Sequence, residues 1–574
     1  MDSNSDLIEK DLNLETKKFY QTKKFWIIIS IFILVLIIIG IILIINFRRE
    51  TEQINFEYEI IQSELGSQNI LVKWNFNSSV NISINVKGVE NEIIRTYNIY
   101  NSTIGEKLIK VYYGMPKLYI KVQNYLFEKQ IEKQFKIPAK EILFAAFPAT
   151  LDSLLFSLNI FNITKNFSCN IYAFLSRYRM WNWTNLPENV FLFDILDENN
   201  YQKFNYYRIL DKLKIWINQI YQLNNSTLFN LFINDYHTYV IPICLFANNI
   251  PPENYKIYML SDGTGSYLAF NKIFNDKDTY IQNYNNMKNK YYVFRDYIRK
   301  RKSYDKDSRY SKNINYRDLR SYAYIILKEE NNTFWWLTKI EGAFAPNNSE
   351  VLQELLNNSN IEEKNINSLF KSLDKEQKEI IKDLFDLNSN FFEEAYKQNK
   401  SVMLIIGTHA NVEKNLYDYC LTTQLFYKDN YIYYYKAHPS TPIEDDQKKI
   451  NNLKNISVLF VDSNIPFEMI LYFNPNISCS GYYSSSFLEV GKQNLKSLFG
   501  QYKQEGEYYD KFDYFCQYIK NNDKKYGQYL NGNSDGTVLE INNNKLIDFK
   551  YDFGIYLKNN KSIVYYKNNE TFLE

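Results

Sequence analysis

The chain has 574 residues and a mass of 68.7 kDa, too long for one ordinary domain. It carries 67 basic and 65 acidic residues, a net charge of +2, so it lacks the whole-chain basic footprint of a nucleic-acid binder. With 45% hydrophobic residues it is not a disordered chain, 17 glycines and 12 prolines exclude collagen-like and linker classes, and five cysteines without a C-x-x-C pair make neither a disulfide framework nor a structural zinc site.

The first element is apolar. Phe25 to Ile45 contains no charge and only Ser30 and Gly40 interrupt it weakly. At about 1.5 Å per residue it reaches across the roughly 30 Å hydrocarbon core of a bilayer. Its length, and the polar stretch before it, set it apart from a signal peptide. Lys10, Lys17, Lys18, Lys23 and Lys24 precede it, whereas Arg48 and Arg49 are the basic residues that follow closely. This bias predicts a cytoplasmic tail over 1–24, a transmembrane helix over 25–47 and a lumenal or extracellular remainder, the type II arrangement. N-x-S/T sites such as Asn77, Asn81 and Asn224 permit secretory glycosylation, although asparagine is common enough here for many to arise by chance.

Residues 52–138 alternate apolar and polar at period two, as in Asn81-Ile82-Ser83-Ile84-Asn85-Val86, with turn clusters such as Asn77-Ser78-Ser79 between the runs. The pattern predicts a small all-β sandwich domain, read as a stem in preference to a carbohydrate- or partner-binding module. The pattern then changes. Glu141 to Phe147 is a continuous apolar run suited to a buried parallel strand, Pro148 ends it, and Leu151, Leu154, Leu155 and Leu158 follow at helical spacing. A second strand-loop opening is Ser401 to Ile406 followed by Gly407-Thr408-His409. Strand-like runs at Tyr255–Leu260, Tyr431–Tyr435 and Ser457–Val461, with a helical stretch over 361–382, complete an α/β chain of two Rossmann-like domains, 139–395 and 396–574. The last 45 or so residues return to a β-like pattern.

Four short segments carry candidate chemistry. Tyr258 to Tyr267 ends a strand in Ser261-Asp262-Gly263, which sets the Asp262 carboxylate where ligands bind in such sheets and suits a general base. Taken alone, Asp-Gly is a common turn. Tyr431 to Pro439 ends a strand in Lys436-Ala437-His438-Pro439, where proline restricts the backbone of His438 and the imidazole can serve a departing phosphate. Ile465-Pro466-Phe467-Glu468 offers a carboxylate for ribose hydroxyls. Gly481-Tyr482-Tyr483-Ser484-Ser485-Ser486 offers hydroxyls and N–H groups at a helix start for a phosphate.

In this order and spacing the four segments resemble the bacterial-type sialyltransferases, glycosyltransferase family 52 and its polysialyltransferase relatives, over about residues 140 to 500. The resemblance implies a GT-B fold and an inverting, metal-independent transfer of sialic acid from CMP-sialic acid to a galactoside-terminated glycan. It implies no cofactor beyond that donor. Asp262 is then the base on the acceptor hydroxyl, and His438 the acid or hydrogen-bond donor to the departing phosphate. Ser484, Ser485 and Ser486 hold that phosphate, Glu468 the ribose, and Gly407 and Thr408 line the nucleotide site. The first domain takes the acceptor, the second the donor. One departure is Ser261, where the family has a second acidic residue. His237 is a further candidate for acceptor contact, with a structural role preferred. Asp276-Lys277-Asp278 and Asp305-Lys306-Asp307 read as charged turns without a metal role.

A lumenal CMP-sugar enzyme fits a Golgi membrane protein. Two other readings remain open on the residues: a GT-B enzyme using another nucleotide sugar, such as a UDP-hexose, or a catalytically inactive surface-binding protein, which the loss at Ser261 favours.

Overall fold

A computed structural model describes residues 22–51, 54–63, 67–89, 93–125, 127–147, 150–166, 170–175, 206–235, 240–261, 277–300, 332–338, 360–387, 390–407, 430–439, 465–481, 484–490, 496–500, 553–558 and 561–566, most of 189–204 and 457–463, and isolated residues between these. It falls into two compact units, one of residues 1–63 and 68–137 and one of residues 64–67 and 138–574.

In the first unit, helix α1 (Lys23–Thr51) contains a 20-residue stretch, Phe25–Ile44, long and apolar enough to cross a membrane. Its Trp26, Phe32, Leu36 and Leu43 side chains are exposed, as a lipid-facing helix requires. Strands β1 (Asn55–Gln62), β2 (Gln68–Lys87), β3 (Ile93–Val111), β4 (Lys117–Gln123) and β5 (Glu128–Gln134) are all antiparallel. The expected strands are present, but their hydrogen bonds join them into one continuous five-stranded sheet, not two separate ones. The 20-residue β2 is the reason. Its first half pairs with β1 and its second half with β4, with register shifts between Asn75 and Ile82. Alternation along β2 buries Ile70, Val72, Trp74, Ile82, Ile84 and Val86 on one face. Tyr58 of β1 packs edge-to-face on Phe135, just past β5, at 5.4 Å, so the two ends of the sheet share one core.

The second unit holds two parallel sheets. The first contains β6 (Glu141–Phe147), β7 (Asn170–Leu175), β8 (Val190–Asp194), β11 (Leu228–Asn234), β12 (Tyr255–Leu260), β13 (Thr333–Leu337) and β14 (Asn360–Glu363), and a short hairpin, β9 (Leu196–Asp197) with β10 (Asn200–Phe204), follows β8. The order β14-β13-β12-β11-β6-β7-β8 is parallel throughout. It is doubly wound, with the reversal between β6 and β11. Both faces are covered, which explains the near-continuous burial of Glu141–Phe147 and Leu228–Asn234. Phe232, Tyr258 and Phe334 stack across three neighbouring strands at 4.5 and 5.0 Å. Helices α2 (Thr150–Asn166), α3 (Tyr206–Leu223), α4 (Val240–Ala247) and α5 (Lys277–Lys300) belong to this half. Trp216 of α3 is fully buried against Phe144 and Tyr172.

The helical stretch expected over 361–382 begins as strand β14 and then breaks into α6 (Ile366–Ser372) and α7 (Lys375–Leu384). Asp374 explains the break. Its carboxylate accepts from the Gln377 N–H at 2.8 Å, and the Gln377 side chain accepts from the Asp374 N–H, a capping box that starts a new helix. Phe370 of α6 packs at 5.2 Å on Tyr472 and 5.0 Å on Phe473, both of helix α9 (Phe467–Phe473).

After α8 (Glu393–Lys397), the second sheet runs β17 (Leu459–Val461), β16 (Tyr431–Lys436), β15 (Ser401–Ile406), β18 (Ser478–Gly481), again all parallel, with its reversal between β15 and β18. Two Rossmann-like halves in succession are the make-up of a GT-B fold. The β-like tail forms a small antiparallel sheet, in which β20 (Phe553–Lys558) pairs with both β19 (Ser497–Gly500) and β21 (Lys561–Tyr566).

Candidate active site

Ligands in open parallel sheets bind beyond the carboxyl ends of the strands, where the winding reverses. In the second sheet that point is the end of β15 beside the end of β18. Gly407 follows β15, and its N–H donates to the Lys436 carbonyl at 2.9 Å, extending the β15–β16 ladder by one rung. The chain leaving β16 passes through buried Ala437 to His438, which is partly exposed at the same edge.

Gly481 makes the approach of β18 possible. It pairs with Ile406, and its φ is +144°, a backbone region open to glycine. A Cβ there would stand inside the van der Waals shell of the Ile406 carbonyl and 2.6 Å from the Ile406 nitrogen. The chain then forms a 3-10 turn over Ser485–Leu488, with Ser484 as its cap. The expected helix start is present as a short 3-10 turn, with the serines at its beginning. The Ser484 hydroxyl accepts from the Ser486 N–H at 3.4 Å. Behind the turn the chain returns along β18: the Lys496 N–H donates to the Cys479 carbonyl at 2.8 Å and the Cys479 N–H to the Asn494 carbonyl at 2.7 Å.

Glu468 sits in the first turn of α9. The Ser486 hydroxyl and its own N–H hydrogen-bond its carboxylate. Burial is the main reason its pKa is pushed up to about 7, the Glu489 carboxylate adds to the rise, and Lys436 works against it. Lys436 is 3% exposed, and its ammonium donates to the Ser463 carbonyl at 3.1 Å and the Ala437 carbonyl at 3.3 Å. Its charge lies beneath the site, committed to backbone oxygens.

A carboxyl whose folded pKa lies above its ordinary 4.5 gives stability that is complete below pH 4.5 and lost as pH rises through about 7. We expect Glu468→Gln to raise stability by about 2 kcal/mol at pH 8, residual solvent contact trimming the full effect, and to change little at pH 4.5. Thermal unfolding at the two pH values checks this.

The first sheet reverses between β6 and β11, and its carboxyl edge gathers buried polar groups. Asp152 of α2 accepts from the Asn234 amide at 2.7 Å and the Ser153 N–H at 2.7 Å. Asp235, just past β11, accepts from the Trp335 indole N–H at 3.1 Å, and its own N–H donates to the Leu260 carbonyl at 2.9 Å. Ser261, also fully buried, donates its N–H to the Trp336 carbonyl at 3.0 Å. These bonds fix the exit of β12, the strand that leads to Asp262.

The structure therefore brings Gly407, His438, Glu468, Ser484 and Ser486 to the ends of one sheet. Ser485 lies on the same turn. Asp262, Thr408, His237 and His409 lie outside the described residues. Sequence reasoning missed Asp152, Asp235, Tyr472 and Glu489. The first two are signalled only by an acid inside or directly after an apolar run. Among the described residues no three His, Cys, Asp or Glu side chains converge as a metal site. Cys244, Cys420 and Cys479 are buried, and burial pushes the Cys479 thiol well up.

No family model matches the chain, and no curated protein matches it. Solved structures do. The chain is similar to an α/β-galactoside α-2,3-sialyltransferase from Photobacterium phosphoreum at 15% identity and a TM-score of 0.47, over 68% of this chain and 98% of that one. It is similar to a 2,6-sialyltransferase from Photobacterium sp. JT-ISH-224, solved with CMP and lactose, at 12% identity and a TM-score of 0.48, over 81% and 92%. MnaA from S. aureus, solved with UDP, follows at 10% identity and a TM-score of 0.36, over 68% and 90%.

Proposed function

We propose that this chain is an inverting, metal-independent sialyltransferase that uses CMP-sialic acid and a galactoside-terminated acceptor. The single observation that supports it most is that Gly407, His438 and the serine turn follow the carboxyl ends of the neighbouring strands β15, β16 and β18, with the Ser486 hydroxyl hydrogen-bonded to Glu468. Each group then has one task. The Ser484–Ser486 turn and His438 hold the phosphate of the donor, and His438 donates to it as the bond to the sugar breaks. Glu468 accepts from the ribose hydroxyls. Gly407 lets the nucleotide approach the backbone, with Thr408 beside it. Asp262 takes the proton of the acceptor hydroxyl as that oxygen attacks the anomeric carbon from the face opposite CMP. The negative charge that develops on the phosphate meets His438 and the serine turn.

The apolar helix α1 anchors the enzyme, with the basic flank in the cytoplasm and the catalytic region in the Golgi lumen. Asp262→Ala tests the roles directly. It should abolish sialyl transfer to lactose, by roughly 100-fold or more, and leave CMP affinity within about twofold. Transfer that survives the substitution would remove Asp262 from the mechanism. CMP bound no better than UDP would favour a different donor.

A further inference from the structure

Two groups beside the donor site take no part in the mechanism above. Tyr472 lies one helical turn after Glu468 on α9, and its hydroxyl donates to the Glu489 carboxylate at 2.8 Å. Glu489 closes the 3-10 turn that carries the serines, its N–H donating to the Ser486 carbonyl at 3.1 Å. The Tyr472–Glu489 bond therefore ties the helix that carries the ribose acceptor to the turn that carries the phosphate donors. The Ser486 hydroxyl on Glu468 is a second tie between the same two elements.

The bond also sets charges. Among the described residues, the charged and titratable groups acting on Glu468 are Lys436 from the end of β16, Glu489 from the turn and Tyr472 from its own helix. Lys436 is spent on two carbonyls. The Glu489 charge beside Glu468 favours the protonated form of Glu468. Burial and the Glu489 charge hold the Tyr472 hydroxyl protonated well above its ordinary range, so it remains a donor throughout.

We propose that Glu489, held by Tyr472, is a positioning residue of the donor site that fixes the serine turn against α9 and, through its charge beside Glu468, adds to the pH dependence of nucleotide binding. This rests on the reading of Glu468 as the ribose acceptor. A carboxylate accepts from both ribose hydroxyls. A carboxylic acid gives up one of those acceptors, so CMP binds less tightly as Glu468 takes up its proton.

The test is calorimetric CMP binding to the full chain in detergent at pH 6 and pH 8. Wild type should bind roughly tenfold more weakly at pH 6 on account of Glu468. Glu489→Gln removes the charge and keeps an acceptor for Tyr472, so the loss at pH 6 should shrink to about fivefold, burial of Glu468 accounting for the rest. The phosphate of CMP also titrates in this window, and its contribution cancels when variant and wild type are compared at the same pH. Tyr472→Phe keeps both carboxyls and releases the turn, and it should weaken CMP several-fold at pH 8. Glu489→Gln with the full wild-type pH ratio would overturn the proposal, as would Tyr472→Phe with wild-type affinity should Glu489→Gln fail to fold. A wild-type chain that binds no CMP at either pH would overturn the donor-site reading and this inference with it. CMP binding with an unchanged ratio would overturn the inference alone.

Discussion

Gly481→Ala should be the most damaging small substitution in the donor half, with a loss of roughly 3 kcal/mol or more and a fall in Tm of about 10 °C. Two costs add. The backbone at Gly481 has φ of +144°, which an L-residue adopts only under strain, and the new Cβ would meet the Ile406 backbone, its nitrogen at 2.6 Å. Backbone cannot swing aside as a flexible side chain can. Relief requires β18 to move off β15, and that separates the two strands at whose reversal the proposed donor site lies. CMP binding should therefore fall with stability. Thermal unfolding of the full chain in detergent measures the first effect and calorimetry the second. A variant with an unchanged Tm would mean that β18 does not lie against β15 as described.

His438→Ala should do the opposite, leaving the fold intact and removing the chemistry. The side chain is partly exposed at the edge of the sheet, while buried Ala437 and the Lys436 carbonyl hold the strand exit in place. We expect Tm to stay within about 2 °C of wild type and turnover to slow by roughly 100-fold or more, the size of effect that a positioned acid contributes. A rise in KM alone, with kcat kept, would make His438 a binding group and not the acid.

Much of the fold was legible because buried parallel strands read as unbroken apolar runs. Glu141–Phe147, Ser401–Ile406 and Tyr255–Leu260 are strands with the bounds their composition suggests. Strand order was not legible. Both reversal points depend on pairings between distant segments, such as Ile406 with Gly481, for which local pattern carries no signal. The antiparallel unit shows the same limit. Period two located its strands, but a single 20-residue strand that serves both halves of a sheet looks in sequence like two strands of a sandwich. Local chemistry also outweighed periodicity at Asp374, where a capping box divides one apparent helix into two.

The candidate site divides in the same way. Glycines, His-Pro and the serine run are visible because each changes the local backbone or offers an unusual group at a strand end. Tyr472, Glu489, Asp152 and Asp235 carry no such mark. Their roles come from partners 17 to 100 residues away, Tyr472 with Glu489 at one extreme and Asp235 with Trp335 at the other. Ser261 shows how a departure from a motif changes meaning once the fold is known. It is fully buried at a strand exit, and Asp152 and Asp235 are buried acids at the same edge.

The central claim is the donor and the reaction, and one assay addresses both. The full chain in detergent is incubated with CMP-sialic acid, with and without lactose, in the presence of a chelator. CMP release that lactose accelerates, with sialylated lactose as the product, is the predicted result. No CMP release and no CMP binding would contradict it.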